Sequence, residues 1–154
     1  MDITLREATI NDSEKIHQMQ IAGFKKLLDK YQDYETNPGA ESLDKVRWRF
    51  QFPHGQHYFI EANGEAVGYI RIARTDEQTC TLSQMFILPK FQGRGYAQQA
   101  IREVERLNPQ AKHWTLNTIE QEEKLCYLYE KMGYKRTGTK TNIKDGMDIV
   151  DYAK

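Results

Sequence analysis

The chain has 154 residues, enough for one domain with its own core. Its 22 basic and 22 acidic residues cancel, which excludes the broad positive field of a nucleic-acid or anionic-membrane binder. A mean hydropathy of −0.78 with 11% aromatic residues excludes both a membrane-embedded chain and a disordered one.

Cys80 and Cys126 lie far apart and form no CxxC pair, so they read as two reduced thiols rather than a disulfide framework. The opening MDITLREATIND lacks an apolar signal core, and the expectation is a cytoplasmic protein. With no repeat, low-complexity tract or linker, residues 1–154 read as a single domain.

Ile3 to Arg6 alternates like a strand. Asn11, Asp12 and Ser13 offer helix caps, with Glu14 placed to support Asn11. Ile16, Met19, Gly23 and Leu27 then predict a helix ending near Leu28, which the turn chemistry of Asn37-Pro38-Gly39 follows. Leu43, Val46 and Phe50 predict a second helix ending near Pro53. His57–Glu61, Ala66–Ala73 and Thr79–Leu88 read as three strands, joined at Asn63-Gly64 and across residues 75–78. Ala97, Ala100, Ile101, Val104 and Leu107 form one apolar helical face, stopped by Asn108-Pro109. His113–Leu116 is a short strand, and Thr118 with Gln121 fits a capping box for the next helix. Leu125, Leu128, Tyr129 and Met132 mark that helix, with Gly133 just past its end. Tyr134–Thr137 and Met147–Tyr152 close the chain as strands. The fold class is therefore α/β (α+β), a mixed and mostly antiparallel sheet of about seven strands with four helices.

The segment Gln92-Gly93-Arg94-Gly95-Tyr96-Ala97 lies where a strand gives way to a helix. The first N–H groups of a helix have no intrahelical partner and attract anions, glycines let a phosphate approach them, and Arg94 adds charge. The segment reads either as a pyrophosphate cradle or as an ordinary tight turn. A GxGxxG dinucleotide fingerprint fails at Gln98, the preceding strands are hairpin-linked, and no GxxxxGK[ST] string occurs.

The string Gln-x-x-Gly-x-Ala, filled by Gln92, Gly95 and Ala97 after Phe86-Ile87-Leu88-Pro89, resembles the acyl-CoA pyrophosphate loop of the GNAT superfamily of N-acetyltransferases. Leu128-Tyr129-Glu130-Lys131-Met132-Gly133-Tyr134 is similar to the family's LYEKxGF helix end, and the element order matches over essentially the whole chain. The resemblance implies the GNAT fold and acetyl-CoA as co-substrate, with no metal. It implies that Met85, Phe86 and Ile87 face the pantetheine arm, with the Ile87 N–H directed at the thioester oxygen. It implies phosphates seated on the amides of residues 93–97 and Tyr129 as proton donor to the leaving thiolate. The family's asparagine is absent at the matching position, which is Glu122. That side chain is expected to face solvent, and Asn117 is another polar contact. Where relatives carry a glutamate near the third meander strand's middle, this chain has Ser83 and Gln84, so no general base is assigned among Asp33, Glu35, Glu120 and His57.

Tyr31, Asp33, Tyr34 and Glu35 cluster in the segment that covers the acceptor side in the resembled family, and carboxylates with aromatic faces favour a cation. The expected partner is a small-molecule or peptide amine, in a monomer or homodimer, with no nucleic acid or membrane. Two other functions stay in view: a non-catalytic acyl-CoA sensor on the same fold, and a dinucleotide-dependent oxidoreductase.

Overall fold

The computed structural model describes residues 2–154. Three strands, β2 (Gly55–Ala62), β3 (Glu65–Asp76) and β4 (Thr79–Ile87), run as an antiparallel meander. Asn63 and Gly64 have φ values of 55° and 75°, as a two-residue type I′ hairpin demands. With β1 (Thr4–Glu7), β5 (His113–Ile119), β6 (Lys135–Lys144) and β7 (Met147–Ala153), they form one seven-stranded sheet in the order β1-β2-β3-β4-β5-β7-β6. Every neighbouring pair is antiparallel except β4 with β5, which is parallel.

Strand alternation supplies two apolar faces. Phe59, Tyr69 and Phe86 bury one of them against Ile16 and Met19 of α1 (Ser13–Tyr31) and Val46 of α2 (Leu43–Arg49). Ile60, Ile70 and Ile72 bury the other against α3 (Tyr96–Leu107) and α4 (Glu123–Lys131), through Ala100, Ile101, Val104 and Cys126. Ile101 is fully buried, and truncating such a side chain to alanine costs about 2–5 kcal/mol. Gly23 lets α1 lie close on the sheet, since a Cβ there would sit 2.5 Å from the Phe86 ring.

Several local expectations are corrected. The first helix is entered through a 3-10 turn, where the Thr9 N–H donates to Asp12 Oδ2, rather than through Asn11 and Glu14. It continues past Leu28 to Tyr31 and ends on left-handed Gln32. The second helix stops at Arg49, short of Pro53. The Thr118–Gln121 capping box does not form. Pairing with β7 carries β5 on to Ile119, and Gln121 exchanges hydrogen bonds with Asp148 instead. The sixth strand extends to Lys144, well past Thr137, because β7 pairs along it.

Candidate active site at the sheet splay

The parallel contact between β4 and β5 is short. It joins Thr79–Thr81 to His113–Thr115, after which the two strands part. The Leu88 N–H donates to the Val67 carbonyl at 2.8 Å. Antiparallel ladders alternate hydrogen-bonded and non-hydrogen-bonded pairs, so the Ile87–Gly68 and Met85–Ile70 pairs are of the second kind. The N–H groups of Met85 and Ile87 therefore point toward the open edge, while that of Phe86 is taken by β3. Phe86 contributes its ring to the core instead, 5.4 Å from Phe24 and 5.9 Å from Tyr69.

A cavity of about 470 Å³ fills the splay on the α1 side. Leu82, Ser83, Gln84 and Met85 line it from β4, Asn117 from β5, and Tyr129 from α4. A register shift puts Leu82 opposite Ile72 and Gln84 opposite Arg71, leaving Ser83 as the bulged residue at the cavity wall. Tyr129 is 6% exposed, and its hydroxyl has no hydrogen-bond partner among the described residues. Burial, with a smaller push from Cys126, raises the phenol to about 12, so it stays a proton-carrying donor at neutral pH.

Beyond the mouth of the splay lies a smaller hollow of about 200 Å³, lined by Ile87, Gly93, Gly95, Tyr96, Ala97 and Leu128 among others. Gly93 and Gly95 have φ values of 79° and 80°, a region L side chains rarely adopt, and a Cβ on either would project into open space. The first helical bond of α3 runs from the Gln99 N–H to the Gly95 carbonyl, so the amides of Tyr96, Ala97 and Gln98 lack a helical acceptor. Open space over unused amides fits a diphosphate. Gln92 donates to the Ile87 carbonyl at 2.9 Å, which locks the loop to the end of β4. Arg94 lies near the Phe91 ring, 5.8 Å from its centroid, and does not line the hollow.

The acceptor-side residues separate. Asp33 lines the large cavity, but its carboxylate accepts from the Glu35 and Thr36 amides and the Thr36 hydroxyl. Burial pushes its pKa up, yet the bonds from Thr36 and Glu35 and the charge of Lys144 outweigh that and hold it below the usual value. Tyr31 belongs to the helix and donates to Glu122 at 2.5 Å, and Lys30 reaches the same oxygen at 2.6 Å. Glu122, expected in solvent, is thus a clasp between α1 and α4. Tyr34 is exposed and bonded to Gln32, and Glu35 is exposed outside the cavity.

Among the residues considered as a base, Glu120 pairs with Arg136 and Lys140. His57 stacks on Phe50 and shares a 2.7 Å hydrogen bond with Tyr69, away from the cavity. Gln84 is buried, accepts from Arg71, and donates to Gln20. Sequence reasoning missed Asp151. It faces Asn117 across the β5–β7 pair and lines the cavity with Met147 and Ile149. The signal was available: alternation along β7 puts this carboxylate on the otherwise apolar Met147–Ile149 face. Among the described residues, Asp33 and Asp151 are the charged ones of the lining, and no lysine or arginine joins them.

Known proteins support the class this geometry suggests. An acetyltransferase from Thermus thermophilus superposes with a TM-score of 0.76 at 16% identity, covering 100% of this chain and 97% of that one. A spermidine N-acetyltransferase from Vibrio cholerae, solved with CoA and spermine, gives 0.78 at 18% identity over 99% and 95%. An acetyl transferase from Salmonella typhimurium that modifies the N-terminal serine of ribosomal protein L7/L12 gives 0.75 at 15% over 100% and 95%. At these identities the likeness establishes a shared fold. No curated protein matches the sequence. The model of the acetyltransferase (GNAT) family matches residues 24–134, and the chain belongs to that family.

Proposed function

We propose that the protein transfers an acetyl group from acetyl-CoA to a cationic primary amine by direct attack in a ternary complex. What carries the reading is the unpaired β4 edge. Its Met85 amide faces a cavity that also takes Tyr129 and is charged, among the described residues, only by Asp33 and Asp151, and its Ile87 amide follows along the same edge beside the smaller hollow. The solved neighbours that act on spermidine or on a protein N-terminus support an amine acceptor, and those holding CoA support the donor.

Acetyl-CoA supplies the activated acetyl thioester when bound. The amides from Gly93 to Ala97 hold the diphosphate, and Asn117 lies beside the arm at the splay. The Ile87 N–H donates to the carbonyl oxygen as charge builds there. Tyr129, held neutral, donates its hydroxyl proton toward the departing sulfur. Asp151 draws the ammonium group and orients it, with the more tightly bonded Asp33 adding negative field. Tyr31 lies outside the lining and supports it from behind by packing with Ile119 and Met147, while Tyr34 and Glu35 stand outside the cavity. The ammonium beside Asp151 gives up a proton to water before it attacks, since a free amine is the nucleophile.

Thiol release measured over a panel of amines tests this. Cationic amines such as spermidine, lysine and an amino-sugar should turn over well above neutral or anionic amines. The presence of Ser83 and Gln84 at the family's glutamate positions favours a second reading, a CoA-binding sensor with the same fold. A sensor would bind CoA and release no thiol with any amine.

A further inference from the structure

A second cavity, of about 330 Å³, lies at the far end of β2 and β3 from the glycine loop and has no part in the reaction proposed above. Three guanidinium-bearing residues line it, Arg49 from the end of α2 and Arg71 and Arg74 from β3, and no aspartate or glutamate does. Arg49 is neutralised by a two-pronged pair with Glu41. Arg71 and Arg74 pair with no carboxylate among the described residues. Arg71 spends one donor on neutral Gln84, at 3.2 Å, and interacts with the Tyr69 hydroxyl and at longer range with Glu41, but its Nε is buried with no partner among the described residues.

A buried, unused donor on a charged group is costly, and an anion is what removes that cost. His57, also in the lining, senses the same field. Its pKa is lowered to about 4 by burial first and then by Arg71 and Arg49. The outer wall is aromatic: Trp48 and Phe52 meet edge to face at 4.7 Å, and both are nearly half exposed. Lys45 Nζ sits 4.3 Å over one face of the Trp48 ring, and the aromatic surface still exposed beside these cations suits a ligand with a flat apolar body.

We infer that this cavity binds a compact anion, a phosphate monoester or a carboxylate, carried on a planar aromatic body, with the anion on Arg71, the ring against Trp48 and Phe52, and Arg74 adding positive field from the strand's other face. The site is separate from the glycine loop, so it recognises its ligand in the absence of CoA.

The test is a fluorescence titration that uses Trp48 as reporter, since Trp114 is buried in the core. Phenyl phosphate, benzoate and inorganic phosphate are compared with benzylamine as the cationic control. The expected result is a saturable change with phenyl phosphate or benzoate, whichever anion the site prefers. Inorganic phosphate should bind at least tenfold more weakly, and benzylamine should give no change. Arg71→Gln should raise Kd about tenfold or more, as loss of a charge-assisted contact does. Gly95→Val should leave Kd unchanged, which rules out binding at the helix mouth, and Trp48→Phe should abolish the signal. No saturable change up to about 10 mM of either aromatic anion, a concentration at which even millimolar binding would show, overturns the proposal. So does an Arg71→Gln protein that binds as tightly as the parent.

Discussion

Replacing Tyr129 with phenylalanine removes one hydroxyl from the cavity wall and little else. That hydroxyl has no partner among the described residues, so the folded protein should lose less than about 1 kcal/mol. The chemical effect follows from the phenol being raised to about 12. A thiol titrates near ~8.5, so complete proton transfer from the phenol to the sulfur is uphill by about 3.5 pKa units, or roughly 5 kcal/mol. The hydroxyl therefore helps as a hydrogen-bond donor in the transition state, with the proton passing late. This points to the lower end of general-acid effects, a loss of about 100-fold in kcat. Thiol release at saturating amine and acetyl-CoA measures it, with calorimetric CoA affinity as the control. The expected result is kcat down by two orders of magnitude with CoA affinity unchanged. Turnover within threefold of the parent would refute the role given to Tyr129.

Three further perturbations probe other parts of the molecule. Gly95→Val puts a branched side chain where φ is 80° and fills the hollow over the free amides, so KM for acetyl-CoA should rise at least tenfold. An unchanged KM would remove the loop from the binding site. Asp151→Asn should lower kcat/KM for a cationic amine about 30-fold and leave KM for acetyl-CoA alone, and an equal effect on a neutral amine would show that no charge recognition is involved. His57 makes stability depend on pH. Its folded pKa of about 4 lies below the unfolded ~6.5, so the unfolded chain takes up the proton first. Stability is then full above about pH 6.5 and falls by about 3 kcal/mol as pH drops toward 4. Urea unfolding between about pH 7 and 4.5 should show this slope in the parent and a shallower one in His57→Gln. Identical slopes would count against a buried neutral histidine.

Much of the fold was legible because its signals are local. Asn63-Gly64 encodes its own turn, and the alternation of β2 to β4 encodes their faces. The glycine loop and the 128–134 string were legible as a family resemblance, and the model match over residues 24–134 bears that out. What escaped depends on distant partners. Thr118 and Gln121 have the chemistry of a helix cap, yet pairing with β7 outweighs it. Glu122 looked like a surface carboxylate because its partners, Lys30 and Tyr31, are more than 90 residues away. Asp33 read as an open cation ligand, but its oxygens are occupied by its own loop. Asp151 was hidden because only the sheet order brings β7 beside β5 at the cavity.

Three residue pairs are a thin seam between the two halves of a seven-stranded sheet. Under the acetyltransferase reading, a pantetheine arm lying along β4 acts as mortar in that seam and fastens the C-terminal strands to the meander. A ligand present at about one hundred times its Kd adds about 2.7 kcal/mol to native stability. The protein's durability is thereby tied to metabolic supply. Starved of coenzyme, its last strands should exchange amide hydrogens sooner and yield earlier to proteases, so that the enzyme's abundance follows the donor it consumes.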